Sequence, residues 1–93
     1  MRTIRRTAQF RKDYKRESKG KFRGSLDVDL AKVVEKLVLD VPLAAKFSDH
    51  PLQGEWKDCR DCHVRFDLVL VYRTTGDDGL ELLRLGSHSE LGL

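Results

Sequence analysis

Three histidines, His50, His63 and His88, are the only imidazoles in the 93-residue chain. An imidazole, with an unperturbed pKa of about 6.5, is available as acid and as base near neutral pH, so three of them suit proton transfer. Two lie in Phe47–Asp67, FSDHPLQGEWKDCRDCHVRFD, beside Asp49, Asp61 and Asp67, the only Trp and both cysteines. Asp67 can orient an imidazole or take part in the transfer. Arg84 offers a fixed charge in a fork suited to phosphate. His50-Pro51, the lone Gly54 and Trp56-Lys57 interrupt regular structure here. Proton-transferring groups gathered in such a stretch are a common setting for a site. Composition alone is equally that of a polar surface loop.

The flanking elements must position these groups. Thr3–Thr7 reads as a short strand. Phe10 and Tyr14, four apart in an Arg- and Lys-rich run, predict a helix over about Gln9–Lys19, stopped near Gly20. Leu26, Leu30, Val33, Val34, Leu37 and Val38 make a sustained helical stripe. Ser25 can cap it, Asp27 and Asp29 suit its first turn, and Pro42 bars its extension. Arg60–Arg65 and Leu68–Arg73 read as strands, Thr74–Gly79 as a turn and Leu80–Leu85 as the returning strand. A period of two would put His63, Arg65 and Asp67 on one face, with Val64 and Phe66 on the other. One strand, two helices and a β-meander make an α+β domain, with both helices on one sheet face.

The composition, 40% hydrophobic and 35% charged, fits one small globular domain over residues 1–93. No apolar run approaches the roughly 20 residues of a membrane span, and the first residues lack the apolar region of a signal peptide. The expected location is cytoplasmic, without membrane association, and the two cysteines are expected as thiols. Residues 1–24 hold ten Lys and Arg against Asp13 and Glu17, a balance of +8, whereas residues 25–93 balance at −5. Such a basic segment, with Arg11, Lys12, Lys15, Arg16 and Lys19 on its helix, fits a polyanion or an acidic protein. A solvated helix face has the same composition.

The wording of two segments is more specific. His50-Pro51-Leu52-Gln53-Gly54, Trp56-Lys57, Arg60-Asp61 and His63, with the closing Arg84-Leu85-Gly86-Ser87-His88-Ser89-Glu90-Leu91, resemble the YafQ branch of the RelE-like bacterial toxins. The resemblance implies a small RelE-like domain in the order βααβββ. It implies a type II toxin that cleaves mRNA on the 70S ribosome by attack of the 2′-hydroxyl, without metal or cofactor. It also implies a DinJ-like antitoxin that neutralises the toxin and anchors an operator-DNA complex. His50, His63, Asp67 and His88 match catalytic positions, Arg84 matches a phosphate-facing arginine, and Arg65, Lys57 and Asp61 are expected at the RNA. The basic helix face would meet ribosomal RNA in the free toxin and an acidic antitoxin in the inhibited one. One departure is Gly92, where the family usually places an aromatic that can stack on a base, an interaction worth about 1–3 kcal/mol. It keeps open a second reading, a catalytically weak homologue acting as an antitoxin-binding corepressor. A gyrase-poisoning relative would not be expected to keep the histidine set.

Cys59-Arg60-Asp61-Cys62-His63 also spells the C-x-x-C-H of c-type haem attachment. That chemistry needs an exported chain and usually a second axial ligand, and Met1 is the only methionine. A zinc site from Cys59, Cys62, His63 and His88 needs converging side chains, which residues three apart on a strand do not provide. A thioredoxin-like pair expects a helix after the motif, and none is predicted. No metal or cofactor is expected.

Overall fold

The computed structural model describes residues 1–76 and 78–93. Its order is β1 (Thr3–Arg6), α1 (Ala8–Glu17), α2 (Leu26–Val38), β2 (His50–Pro51), β3 (Arg60–Arg65), β4 (Leu68–Thr75), β5 (Gly79–Gly86) and α3 (His88–Leu91). Single 3₁₀ turns cover Ala45–Phe47 and Gly54–Trp56. The five strands form one sheet in the order β1-β5-β4-β3-β2, with β1 parallel to β5 and the other pairs antiparallel. The expected α+β architecture is present, and two short elements, β2 and α3, extend the expected order. Among the described residues no helix is long and apolar enough to cross a membrane.

β4 is the central strand and explains its own sequence. Leu68, Leu70 and Tyr72 face the helices, whereas Val69 and Val71 face the opposite layer, so both faces are buried and no alternation appears in LVLVY. On the helix side Phe10, Leu26, Leu30, Val33 and Leu37 close over Cys62, Val64, Leu80, Leu82 and Leu85. Each such side chain taken out of water contributes about 1.5–3 kcal/mol. The second layer is thinner: Cys59, Val69, Val71 and Leu91, with Leu52, Trp56 and Leu83 packed against them. It is the platform on which the histidine-bearing segments sit.

Thr7 caps α1, its hydroxyl accepting from the Phe10 N–H. Ser25 occupies the N-cap of α2 but makes no side-chain cap there; its hydroxyl accepts from Arg65 Nη2 instead. Asp27 and Asp29 fill the first turn of α2 as the helix dipole favours. The expected Thr74–Gly79 turn is realised as an extension of β4 to Thr75 and an early start of β5 at Gly79, with Asp77 outside the described residues.

Candidate active site

β3 alternates as a strand should. Cys62 and Val64 enter the helix-side core, which turns Asp61 and His63 to the opposite face. The two-residue β2 pairs His50 with Asp61 and so carries a second imidazole to that strand. The third arrives through α3. Ser87 accepts from the Glu90 N–H and Glu90 accepts from the Ser87 N–H, a reciprocal capping box, while Leu91 anchors the helix on the second layer. His88 is thereby fixed at the first helical position.

The distances define the proton inventory. Asp67 Oδ1 lies 2.9 Å from His88 Nδ1 and accepts from the His88 backbone N–H at 3.2 Å. These bonds hold the Asp67 carboxyl below the usual carboxylate range. An ionised carboxylate only accepts, so Nδ1 of His88 carries its proton. His88 Nε2 then faces His63 Nε2 at 3.3 Å, the rings meeting edge-to-face at 79°. A bond between two ring nitrogens needs one proton, so the pair offers one donor and one acceptor at adjacent atoms. Both the His88 and Asp67 side chains are 39% exposed, open enough to meet a substrate.

His50 is held differently. Its Nδ1 lies 2.7 Å from the Ser48 carbonyl, which can only accept, so that nitrogen donates. Its Nε2 lies 3.0 Å from Asp61 Oδ1, an ion-pair distance off the line of a hydrogen bond, which leaves that oxygen without a hydrogen-bond partner. Burial pushes the Asp61 carboxyl above the usual range, against the pull of His50, His63 and His88. Asp61 is 2% exposed and faces the three imidazoles from beneath, set back from the surface on which the expected RNA contact would be made. The loop before β2 is fixed by Asp49, which accepts from Tyr72 Oη at 2.5 Å and from Arg60 Nε at 3.2 Å.

The remaining expected residues separate. The β3–β4 register shifts between His63 and Arg65, and β3 ends at Arg65, so His63, Arg65 and Asp67 do not share one strand face. Arg65 turns to α2, with Nε 2.5 Å from Asp29 Oδ2. Asp67 reaches His88 from the turn, and Phe66 is exposed rather than packed. Lys57 is exposed beside the second 3₁₀ turn. Arg84 points to α1, where Nε is 2.7 Å and Nη2 3.3 Å from the carboxylate of the buried Asp13. Arg11, Lys12, Lys15, Arg16 and Lys19 are exposed, as a basic face requires. Arg16 is committed within the fold: it pairs with Asp13, Glu17 and Glu90, and Nη2 donates to the Leu85 carbonyl at 2.8 Å. Gly86 permits that crossing, because a Cβ there would stand 2.7 Å from Arg16 Nη2.

The positioning roles of Asp13, Asp49 and the Ser87–Glu90 box are not among the sequence-based expectations. The last was written in Ser87-His88-Ser89-Glu90, an S-x-x-E signature. Asp13 had no such signal, lying four residues from Gln9 on a helix whose charge is mostly basic.

A family model described as the bacterial toxin of type II toxin–antitoxin systems, YafQ, matches residues 2–92. The chain belongs to the YafQ family. The mRNA interferase toxin YafQ of Escherichia coli strain K12 is 36% identical over 90 residues, 95% of this chain and 97% of the relative. Among solved structures, a copper-bound mutant toxin from Helicobacter pylori is 42% identical over 98% of this chain and 99% of that one, with a TM-score of 0.86. The E. coli DinJ–YafQ toxin–antitoxin complex is 38% identical over 97% and 96% of the two chains, with a TM-score of 0.83.

Metal and thiol chemistry can be tested on this YafQ-family chain directly. Among the described residues no three His, Cys, Asp or Glu side chains converge to hold a metal ion. His63 and His88 present two ring nitrogens, and no third ligand joins them among the described residues. Cys59 and Cys62 are free thiols buried in opposite layers of the sheet, and burial pushes both thiols up, away from the thiolate that metal or redox chemistry needs. A Cys59→Ser, Cys62→Ser protein is expected to keep the parent's metal content. It should lose about 1–3 kcal/mol of unfolding free energy, because a hydroxyl at the fully buried Cys62 site lacks a partner. Elemental analysis and urea unfolding check both. Stoichiometric metal lost with the thiols would contradict the first expectation.

Proposed function

We propose that this YafQ-family toxin is a ribosome-dependent, metal-independent mRNA endonuclease acting in the cytoplasm, neutralised by a DinJ-like antitoxin. The observation that carries the reading is the Asp67–His88–His63 chain, in which a carboxylate holds one imidazole and two Nε2 atoms stand 3.3 Å apart, close enough to share one proton. Cleavage by a 2′-hydroxyl needs a base for the attacking oxygen and an acid for the leaving 5′-oxygen, and this pair holds one of each. His50 over Asp61 adds a third imidazole beside them. Primer extension on ribosome-bound message, with Mg²⁺ held at the level that keeps 70S ribosomes assembled and transition metals stripped from the protein, tests the reaction. Cleavage that requires an added transition metal, or proceeds equally without ribosomes, contradicts it.

The partners follow from the same reading. The E. coli relative solved with DinJ supports an antitoxin for this chain, and through that complex a contact with operator DNA. The exposed Arg11, Lys12, Lys15 and Lys19 supply the charge for ribosomal RNA, and reversing three or more of them should weaken binding to 70S ribosomes. Each phosphate contact releases counterions, so the binding constant of the parent should fall steeply with salt and that of the reversed protein more gently. Sedimentation with ribosomes across a salt series measures both slopes. Absence of binding at low salt, with antitoxin affinity intact, selects the corepressor reading.

A further inference from the structure

β2 pairs only with Arg60 and Asp61 of β3, and beyond them β3 has no strand partner on that side among the described residues. A cleft of about 640 Å³ lies against that edge, lined by Lys32 of α2, Lys46 and Phe47 of the 3₁₀ turn, and His63, Arg65 and Phe66. His63 is thus shared between the imidazole pair and this cleft. Arg65 is neutralised by Asp29 at 2.5 Å, which leaves the charges of Lys32 and Lys46 in excess on the walls. Lys46 Nζ stands 5.2 Å above the Phe47 ring. At the lip, Phe66 is 94% exposed, and a ring held almost wholly in water gains nothing from the core. Its position is nonetheless fixed, because the next residue is Asp67, bound to both the ring and the backbone of His88.

We infer that this cleft is a subsite for one unpaired nucleotide of an RNA strand adjoining the bond cleaved at His63 and His88. Phe66 stacks on the base, while Lys32 and Lys46 face the neighbouring phosphates. The inference rests on the endonuclease reading and deepens it. Basic walls with an aromatic platform are what an unpaired strand requires, because every base has a π-face and every linkage a negative charge. The volume falls within the roughly 300–1,000 Å³ of small-ligand pockets. An acidic protein segment would answer the lysines, but the cleft's continuity with His63 places the occupant at the reacting groups.

Two measurements separate the subsite from the reaction. The first is fluorescence polarisation of a dye-labelled, 2′-O-methyl RNA oligonucleotide, which cannot be cleaved, with the free protein. Phe66→Ala is expected to weaken binding on the order of tenfold, with Phe66→Trp restoring it. Lys32→Glu with Lys46→Glu is expected to weaken binding and flatten its salt dependence. The second is cleavage of ribosome-bound message, where Phe66→Ala should raise the half-saturating toxin concentration while leaving the saturated rate and its pH profile at parental values. Parental binding by Phe66→Ala, failure of Phe66→Trp to restore it, or lowered affinity for the antitoxin alone each overturns the subsite. If the parent binds the oligonucleotide through Phe66 yet cleaves no message, the endonuclease reading falls and with it the subsite's place beside a cleaved bond, while the cleft's affinity for RNA stands. If the parent cleaves and Phe66→Ala binds as it does, the reverse holds.

Discussion

Replacing His88 with alanine is expected to lower the rate of cleavage of ribosome-bound message by about 10²–10⁴-fold, the usual contribution of a positioned acid or base. The loss has two parts. One of the paired Nε2 atoms disappears, and His63 is left without the partner that shares its proton. His63→Ala should therefore cost about as much, and the double replacement little more than either alone, since two groups working on one proton act as a unit. Asp67→Asn should fall short of these, because an amide oxygen can still accept from the His88 Nδ1–H but carries no charge to favour the imidazolium. His50→Ala tests the separate imidazole over Asp61. These side chains are part-exposed at the sheet surface, so unfolding free energies should stay within about 0.5 kcal/mol of the parent. Single-turnover primer extension at saturating toxin gives the rates. Near-parental cleavage by His63→Ala and His88→Ala would remove the shared-proton pair from the mechanism.

The elements were legible because their causes are local. The α2 stripe buries Leu26, Leu30, Val33 and Leu37 at helical spacing, and LVLVY fills the central strand, flanked on both sides and covered on both faces. His63 and His88 could be named because residue type and wording survive without coordinates. What periodicity could not supply is the register shift after His63, which turned Arg65 to α2 and left Phe66 in solvent. A period of two holds only while the ladder stays regular. The contact of Arg84 was illegible for another reason. Its partner in the fold is Asp13, 71 residues away, and an acidic side chain in a mostly basic helix gives no hint of where it points. Gly92 likewise has a local role: at φ 71° it ends α3 in the left-handed conformation that glycine adopts without strain.

Asp13 is where the largest effect on stability is expected. Its carboxylate is fully buried and accepts from Arg84 Nε at 2.7 Å, the Leu85 N–H at 3.0 Å, Gln9 Nε2 at 3.1 Å and Arg16 Nη1 at 3.2 Å. It ties α1 to β5 at the point where the chain turns into α3. Asp13→Ala should lower the unfolding free energy by about 3–5 kcal/mol, the range for breaking a buried pair by removing one partner. Against a total of about 5–15 kcal/mol for a small domain, that is a large share. Asp13→Asn should cost less, since its oxygen keeps one acceptor. The sign of the pH dependence is fixed by the same contacts. Burial alone would raise this carboxyl, but the bonds from Arg84, Leu85 and Gln9 outweigh it and the folded-state pKa lies below the ordinary value. The contribution is therefore fully present above the unfolded value of about 3.9 and is lost as pH falls through the folded one. Below about pH 4 the gap between parent and Asp13→Ala should narrow, and urea unfolding at stepped pH follows it. A gap under about 1 kcal/mol at neutral pH would mean that α1 and β5 hold together without this carboxylate. The same protein probes Arg84, which loses its strongest anchor. If the guanidinium then reaches the phosphate, cleavage per folded molecule should rise above the parent, and if Asp13 is needed to aim it, cleavage should fall.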